Sequence, residues 1–463
     1  MAARSTRSRA LSIVAVVGIC VLALWLATTA AGAGSSLSTF ELTPPRVAGP
    51  SRLVSIVPGG VACTSPGDCL IVGTYAGSKT FGLMGVTETN GVWARATTIG
   101  APTATFARGN FAQPPETSLN GLVCTSPGDC VAVGSYSTFS KLNYGAASSQ
   151  PAGLIETDGV WGQPARLGLP PGASTGEAFL AGKHRHVPWP QTASLNSVAC
   201  LTASNCVAVG AYVDKRGVSQ AMTVSETNGV WSHPTQLALP PGAVLPSSGF
   251  GASLRSVTCP DATTCYAVGL YTYDRSNDSK GLIATDTDGV WTASSFTVAP
   301  AQIRHPTSGL SAITCLTTSD CYAFGFYVPR GRGFTDDDGR WQPVAAAGDP
   351  TFRATSVACA APGKCLAVGV TRQAVHEGPV APQATLRASV LEQSSSGWGP
   401  SVNVQLPANA SRKLPSSYLD RVACPVGGPC VASGEYFVGH TPTQTLSQTI
   451  VITWQPHPRP EAR

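Results

Sequence analysis

Apolar and polar residues alternate over short segments that recur along the whole chain. In one representative stretch, alternation over residues 194–200, 206–213 and 221–227 predicts three short strands. The Asn-Gly pair at 228–229 predicts a two-residue hairpin, because this pair readily takes the positive φ values of a type I′ turn. Residues 230–239 are then the fourth strand. The stretch as a whole therefore predicts four antiparallel strands in one sheet.

The same pattern occurs seven times, each time marked by two cysteines with five residues between them. These pairs are Cys63/Cys69, Cys124/Cys130, Cys200/Cys206, Cys259/Cys265, Cys315/Cys321, Cys359/Cys365 and Cys424/Cys430. Zinc sites use shorter spacings and four convergent ligands, and no further Cys or His follows these pairs at a regular distance. We therefore predict seven disulfides and no metal site, with buried free thiols as the alternative.

A four-stranded unit repeated seven times predicts an all-β fold, a seven-bladed β-propeller with one disulfide per blade. A tryptophan follows each hairpin turn in the first six repeats, and we interpret it as a packing residue. These residues are Trp93, Trp161, Trp231, Trp291, Trp341 and Trp398. The seventh repeat ends without a fourth strand, whereas residues 38–43 resemble the ends of other fourth strands. We predict that this N-terminal segment completes the last blade and removes its open edge.

The repeat motif resembles one found in exported actinobacterial proteins. It reads Ser-Val-x-Cys-x5-Cys-x-Ala-Val-Gly-x-Tyr, followed by Thr-(Asn/Asp)-Gly-Val-Trp, and it covers residues 38–456. Those proteins look like seven-bladed propellers of uncharacterised function, described as sialidase-like or kelch-like. The hairpin is similar to the sialidase Asp-box, but here Asp or Asn directly precedes Gly. The resemblance implies the fold and assigns no catalytic residue.

The N-terminal segment has the features of an export signal. Arg4, Arg7 and Arg9 precede an apolar run at 11–26, and small residues follow at 31–33. This order predicts a signal peptide or an N-terminal membrane anchor over 1–33, then a linker at 34–37 and a C-terminal tail at 457–463. The propeller is extracytoplasmic in either case, which agrees with paired cysteines.

Charge is sparse, at 12% of residues with a net charge of +5, but it is unevenly placed. In a propeller, the first-to-second and third-to-fourth turns lie on one face, here called the regular face because these turns hardly vary in length. The other loops lie on the opposite face, here called the variable face. Acidic residues collect on the regular face and basic residues on the variable face. Variable loops on one face of a repeat scaffold are typical of a binding face.

The variable face predicts a binding or scaffold module for an anionic ligand or protein partner. Arginine binds carboxylate and phosphate groups through paired hydrogen bonds. Our ligand-binding candidates come from the fourth to sixth repeats: Arg304, Arg330, Arg332, Arg353 and Arg372. The expected partners are an acidic glycan, a wall polymer or an acidic protein surface, because export disfavours nucleic acid. We expect a monomer without a cofactor.

The alternative is a sialidase-like glycoside hydrolase or lyase acting on an acidic glycan. Glu435-Tyr436 is the one carboxylate–tyrosine pair at the end of a second strand. Tyr436 occupies the usual tyrosine position of the repeat, so packing accounts for it. Glu435 has no such explanation, because the equivalent residues are Thr74, Ser135, Ala211, Leu270, Phe326 and Val370. Glu435 and Tyr436 are therefore the catalytic candidates of this alternative.

Overall fold

The computed structural model describes most of the repeat region as a ring of seven antiparallel sheets. The described residues are 36–46, 55–76, 80–100, 104–105, 116–139, 147–174, 192–202, 204–247, 249–273, 278–300, 307–328, 330–337, 340–343, 350–374, 384–394, 397–411, 416–441 and 444–455. The predicted signal or anchor at 1–33 and the tail at 457–463 lie outside them. No helix within these ranges is long and apolar enough to cross a membrane.

Six blades are built from strands that are consecutive in sequence. The last blade combines the first strand of the chain with the final three strands. The strands, with semicolons between blades, are β1 (Ser36–Glu41); β2 (Ser55–Ser65), β3 (Asp68–Ala76), β4 (Thr80–Thr89), β5 (Val92–Trp93), β6 (Thr97–Thr98), β7 (Ala104–Thr105); β8 (Glu116–Ser126), β9 (Asp129–Phe139), β10 (Ala147–Thr157), β11 (Val160–Trp161), β12 (Ala165–Arg166); β13 (Ala193–Thr202), β14 (Asn205–Val213), β15 (Ser219–Thr227), β16 (Val230–Trp231), β17 (Thr235–Gln236); β18 (Ala252–Thr258), β19 (Thr264–Thr272), β20 (Ser279–Thr287), β21 (Val290–Phe296); β22 (Ser308–Thr317), β23 (Asp320–Tyr327), β24 (Arg330–Asp337), β25 (Arg340–Pro343); β26 (Phe352–Ala361), β27 (Lys364–Ala374), β28 (Ala384–Ser394), β29 (Gly397–Trp398), β30 (Val402–Asn403); β31 (Ser417–Ala423), β32 (Cys430–Thr441), β33 (Gln444–Gln455).

The predicted disulfides and hairpin turns are confirmed. All seven cysteine pairs are bonded, and each bond joins the end of the first strand, or the residue directly after it, to the start of the second strand. The type I′ turns place a non-glycine residue at a φ near +50° in four blades, namely Asn90, Asp158, Asn228 and Asp288. The Asp338-Gly339 pair lies outside the described residues.

The bonded cysteines pack against the core of each blade, where the first cysteine of each pair is half-buried and the second is buried. The second cysteine of each pair is buried among apolar side chains, and in five blades it is at most 1% exposed: Cys206, Cys265, Cys321, Cys365 and Cys430. The alternative of buried free thiols is therefore wrong, because all fourteen sulfur atoms are bonded in pairs. Their role is structural, because each bond fixes a turn of its blade from inside the core.

The N-terminal strand closes the ring, as predicted. β1 pairs with β33 in antiparallel register from Ser36 opposite Gln455 to Glu41 opposite Ile450. The last blade therefore has the order β1-β33-β32-β31. Phe40 also packs 5.7 Å from the ring of Trp93 in the first blade. The closing strand thus joins the last blade to the first, and it covers the outer edge of β33.

The predicted continuous fourth strand at 230–239 is wrong, because that segment forms two separate pieces. β16 pairs with the end of β15, the chain then leaves the sheet, and β17 rejoins β15 further along. Pro234 lies in the gap, and proline has no N–H to donate to a neighbouring strand. Proline is not required for the break, because the fourth strand of the first blade is interrupted at Ala94–Ala96 in the same way. The fourth strand β21, which contains no proline, is continuous over Val290–Phe296.

The first strands surround the central channel and contact one another in a closed ring. Four residues before its first cysteine, each has a bulged residue without a partner in the second strand: Gly59, Asn120, Asn196, Arg255, Ser311, Thr355 and Asp420. In four blades the bulged side chain donates a hydrogen bond to the next blade. Asn120, for example, donates to the carbonyl oxygen of Leu195 at 2.8 Å. At Gly59 a Cβ would lie 1.9 Å from the carbonyl oxygen of Leu119, so only glycine fits.

Candidate functional site

Two bulged residues depart from the small or polar type that joins neighbouring blades. Arg255 in the fourth blade and Asp420 in the seventh are charged. Both lie four residues before the first cysteine of their repeat, in the ring of residues that lines the channel. Bulges next to a binding surface redirect side chains, so a charged residue at this position is a candidate for function.

A second set of unusual residues occurs two positions earlier in the first strands. Arg353 and Tyr418 stand where other blades have Val57, Ser118, Ser194, Ser253 and Gly309. Tyr418 lies opposite Glu435 in the second strand, and Gly309 lies opposite Phe326. We define the channel site as Arg255, Phe326, Arg353, Arg372, Tyr418, Asp420 and Glu435, which come from blades four to seven.

The basic half of the channel site is assembled around the ring of Phe326. The guanidinium carbon of Arg255 lies 5.4 Å from the ring centroid, and that of Arg353 lies 5.9 Å from it. Phe326 is half-buried and pairs with Gly309 on one side and Gly331 on the other, so neither directly paired residue has a side chain beside the ring. Arginines from two blades therefore meet at an aromatic residue of the blade between them, within cation–π range.

The positive charges of Arg353 and Arg372 lie close enough to affect each other. Burial lowers the pKa of Arg353, and the positive charge of Arg372 lowers it further. Desolvation inside the channel also lowers the pKa of Arg255. Within the part of the chain that the structure describes, the one salt bridge is Arg216–Asp214, at 2.9 Å. The arginines of the channel site therefore have no described carboxylate within salt-bridge distance.

The other arginines predicted to bind a ligand lie elsewhere or are not described. Arg330 and Arg332 project from the face of the fifth blade opposite to Phe326, because Phe326 pairs with the intervening Gly331. Arg332 lies 5.5 Å from the ring of Phe334 and donates to the carbonyl oxygen of Val298 at 3.3 Å. Arg304 lies outside the described residues. The structure thus brings together Arg353 and Arg372 and adds Arg255.

The acidic half of the channel site lies in the seventh blade. The hydroxyl groups of Tyr418 and Ser447 donate hydrogen bonds to the carboxylate of Glu435, which is 5% exposed. Burial nevertheless raises the pKa of Glu435 to about 7, with a smaller contribution from the charge of Asp420. Burial also raises the pKa of Asp420 to about 6, although Arg421 opposes this shift. Two neighbouring carboxyl groups therefore titrate close to neutral pH.

Tyr436, the chain neighbour of Glu435, is placed as a packing residue. It is fully buried, and its hydroxyl donates to Asn409 Oδ1 at 2.9 Å. Burial raises its pKa well above the usual value for tyrosine. The tyrosine that the structure brings to Glu435 is Tyr418, on the adjacent strand.

Arg421 is a further channel residue that sequence reasoning missed. It follows the bulge, where the other blades have only Gly, Ser or Ala. Its Nε donates to the carbonyl oxygen of Asn120 at 2.8 Å, and its Nη2 donates to that of Asn196 at 3.0 Å. One side chain of the seventh blade therefore spans the channel to the second and third blades. Alignment of the seven repeats on their first cysteine would have revealed it as the one charged residue in its column.

The titration of Glu435 predicts a pH-dependent stability. A carboxyl group whose pKa is higher in the folded than in the unfolded state stabilises the fold below about pH 4, and this contribution is lost as pH rises through 7. Glu435→Gln removes the titration and keeps an acceptor for Tyr418. The variant should gain stability relative to the wild type by up to about 3 kcal/mol between pH 4.5 and pH 7.5.

Denaturant unfolding at both pH values measures this difference. Glu392→Gln, which removes a carboxyl group in the sixth blade, is the control for the loss of one negative charge. A constant difference between Glu435→Gln and the wild type at the two pH values would contradict the assignment.

Metal ligation has no support in the described ranges, where no group of three His, Cys, Asp or Glu side chains could hold a metal ion. The chemistry that the channel site offers is therefore that of its side chains. It comprises unpaired guanidinium groups, an accessible aromatic ring, and carboxyl groups that exchange protons near neutral pH. Such a site can bind an anion and orient its hydroxyl groups.

Comparisons with known proteins find similarity only to solved structures. No protein-family model and no curated protein matches the chain. A protein of unknown function from Dyadobacter fermentans is 11% identical, with 90% of this chain and 99% of that chain covered and a TM-score of 0.45. YCF48 bound to a D1 peptide is 11% identical, with coverages of 92% and 97% and a TM-score of 0.43. A subtype N11 neuraminidase-like protein (H18N11, flat-faced bat, Peru) is 9% identical, with coverages of 93% and 96% and a TM-score of 0.39.

Proposed function

We propose that this propeller is an extracytoplasmic binding module that recognises an anionic ligand at the channel site. The observation that supports the proposal is the meeting of Arg255 and Arg353 at Phe326, with Arg372 beside them. Guanidinium groups held close together without carboxylate partners repel one another, and an anion bound between them relieves that repulsion. The binding of an anion is therefore the function that fits this arrangement best.

The ligand class follows from the two halves of the site. Arginines bind a carboxylate through paired hydrogen bonds, and the exposed face of Phe326 suits the apolar face of a sugar ring. Asp420 and Glu435 lie in the seventh blade, where their carboxyl groups can bond to hydroxyl groups. A carboxylated glycan would then lie with its acid groups toward blades four to six and its hydroxyl groups toward blade seven.

The proposal predicts that Arg353→Ala with Arg372→Ala abolishes salt-sensitive binding of an acidic glycan. Losing two charge-assisted contacts should weaken binding of trigalacturonate at least about a hundredfold. Calorimetric titration at two salt concentrations measures both the affinity and its salt dependence. Arg340→Ala, at an exposed arginine on the regular face, is the matched control. Equal affinities of the double variant and the wild type would refute the assignment.

Hydrolysis of the bound glycan is a second candidate function, which the contact between Tyr418 and Glu435 favours. A tyrosine hydroxyl bonded to a carboxylate can act as a nucleophile in glycoside hydrolysis, and Arg353 occupies the equivalent position on the adjacent first strand. Mass spectrometry of the titrated trigalacturonate distinguishes the two functions. Intact ligand supports binding alone, whereas shorter products that disappear in Glu435→Gln support catalysis.

The cellular setting completes the proposal. Seven disulfides indicate an oxidising, extracytoplasmic environment. We propose that the apolar run at 11–26 directs export, either as a cleaved signal or as a membrane anchor. The protein would act as a monomer, and its repeat motif resembles that of the exported actinobacterial propellers.

A further inference from the structure

An acidic groove opens on the regular face, between the first and second blades. Its volume is about 380 Å³. Three carboxyl-bearing residues line it, namely Asp68, Glu88 and Glu156, and so do the hydroxyl residues Thr64, Thr87 and Ser126. No lysine, arginine or histidine is among the lining residues. The groove therefore concentrates negative charge at the end of the blades opposite to the variable loops.

The acid before the hairpin turn has a structural task in the third and fourth blades. The backbone N–H of Gly229 donates a hydrogen bond to Glu226 Oε1, and that of Gly289 donates to the carboxylate of Asp286. In these blades the carboxylate caps the type I′ turn. One oxygen of each carboxylate is therefore engaged by its own blade, while Oδ1 of Asp286 is buried without a hydrogen-bond partner.

In the first two blades, the equivalent carboxylates of Glu88 and Glu156 do not accept a hydrogen bond from the glycine of the hairpin turn. The N–H of Gly91 donates instead to the carbonyl oxygen of Gly67 at 2.9 Å. The second blade repeats this contact between Gly159 and Gly128, also at 2.9 Å. Both acceptors lie in Ser-Pro-Gly-Asp turns, where glycine takes a φ of +80° or +86° that other residues rarely adopt. Because the Ser-Pro-Gly-Asp turns accept these N–H groups, Glu88 and Glu156 do not cap their hairpin turns. Both residues line the groove between the first and second blades.

The remaining carboxylate, Asp68, is fully engaged and stays ionised. It accepts hydrogen bonds from the hydroxyl of Ser65 at 2.5 Å and from the N–H of Asn90 at 3.1 Å. These bonds lower its pKa. Asp68 therefore supplies a negative charge at the wall of the groove.

Glu88 is left in an unfavourable state that a cation would relieve. It is 6% exposed, and its Oε2 atom is buried without a hydrogen-bond partner. Burial raises its pKa, and the charge of Asp68 raises it further, while the nearby indole N–H of Trp93 lowers it without reaching hydrogen-bond geometry. Burial and the charge of Asp129 likewise raise the pKa of Glu156. A buried carboxylate oxygen without a donor is destabilising, so a donor from a ligand would be favourable.

We propose that this groove binds an aliphatic primary ammonium group, carried by a lysine side chain or by an amino sugar. An ammonium group offers three donors and a positive charge, which match Glu88, Glu156 and the charge of Asp68. Ala62 and Leu70 in the wall provide apolar surface for the carbon stem. A bare metal ion fits less well, because the described residues contain no group of three ligands close enough to hold one.

The test titrates the purified protein with two amine probes, tetralysine and the tetramer of glucosamine, at low salt. Glu88→Gln with Glu156→Gln should weaken binding at least about tenfold. Glutamine is suited to the first position, because the sixth blade carries Gln393 there. Asp288→Asn is the matched control, since it removes one charge from the same face at a turn where two other blades have Asn90 and Asn228.

Each outcome decides the proposal. Binding of either probe that is lost on N-acetylation and in the double variant supports the site, and the probe that binds identifies the source of the amine. Failure of both amines to bind, or unchanged affinity in Glu88→Gln with Glu156→Gln, overturns it. The Arg353→Ala and Arg372→Ala variant should keep its amine binding, so failure of the channel site and failure of this groove are distinguishable. The Glu156→Gln variant alone provides the test should the double variant not fold.

Discussion

Deletion of residues 36–41 should destabilise the propeller by at least about 5 kcal/mol and cause it to associate. The deletion removes every pair between β1 and β33 and the contact between Phe40 and Trp93. It also exposes the edge of β33, a row of unpaired backbone donors and acceptors that can pair with another molecule. Chemical denaturation measures the stability, and size-exclusion chromatography measures the association.

Deletion of residues 456–463 is the control, because it leaves all described strand pairs in place. A monomer of unchanged stability after loss of 36–41 would show that the closing strand contributes little. It would then contradict the role given to β1 in joining the last blade to the first.

Arg421→Met should destabilise the fold by about 3 kcal/mol at pH 7.5. Methionine keeps much of the volume but removes the donors that reach the carbonyl oxygens of Asn120 and Asn196 across the channel. It also removes the positive charge that opposes the raised pKa of Asp420. The pKa of Asp420 should therefore rise further, and the loss should be smaller at pH 4.5, where this carboxyl carries its proton in the variant.

Unfolding of the variant at both pH values checks this prediction, with Arg340→Met as a control on the regular face. A loss that is the same at pH 4.5 and pH 7.5 would mean that Asp420 and Arg421 are not coupled. No loss at either pH would mean that the hydrogen bonds across the channel do not support the ring.

The fold was predictable because its determinants are local in sequence. Five residues between two cysteines, and Asn or Asp before Gly, each specify a geometry within a few positions, and seven copies leave little room for another architecture. The closing strand was also predictable, because residues 38–43 resemble other fourth strands. The broken fourth strand was not, because the hydrophobic pattern continues through the break, and in the first blade the break occurs without a proline.

The channel site was only half predictable, and the reason is geometric. Glu435 is unusual in its column of the repeat, but its partner was sought next to it in sequence, at Tyr436. Adjacent residues of a strand face opposite sides of the sheet. The partner, Tyr418, is set by the pairing of β31 with β32, and that register depends on the bulge at Asp420. In the same way, Arg330 and Arg353 carry the same charge, yet they project from different faces of their blades.

A crystal structure of the protein with bound trigalacturonate shows directly whether the channel site binds an anion. A carboxylate of the ligand should contact Arg353 and Arg372, with a sugar ring against Phe326 and hydroxyl groups toward the seventh blade. Ligand density at a different surface, or a channel site without ligand at a saturating concentration, would contradict the claim that this is the anion-binding site of the propeller.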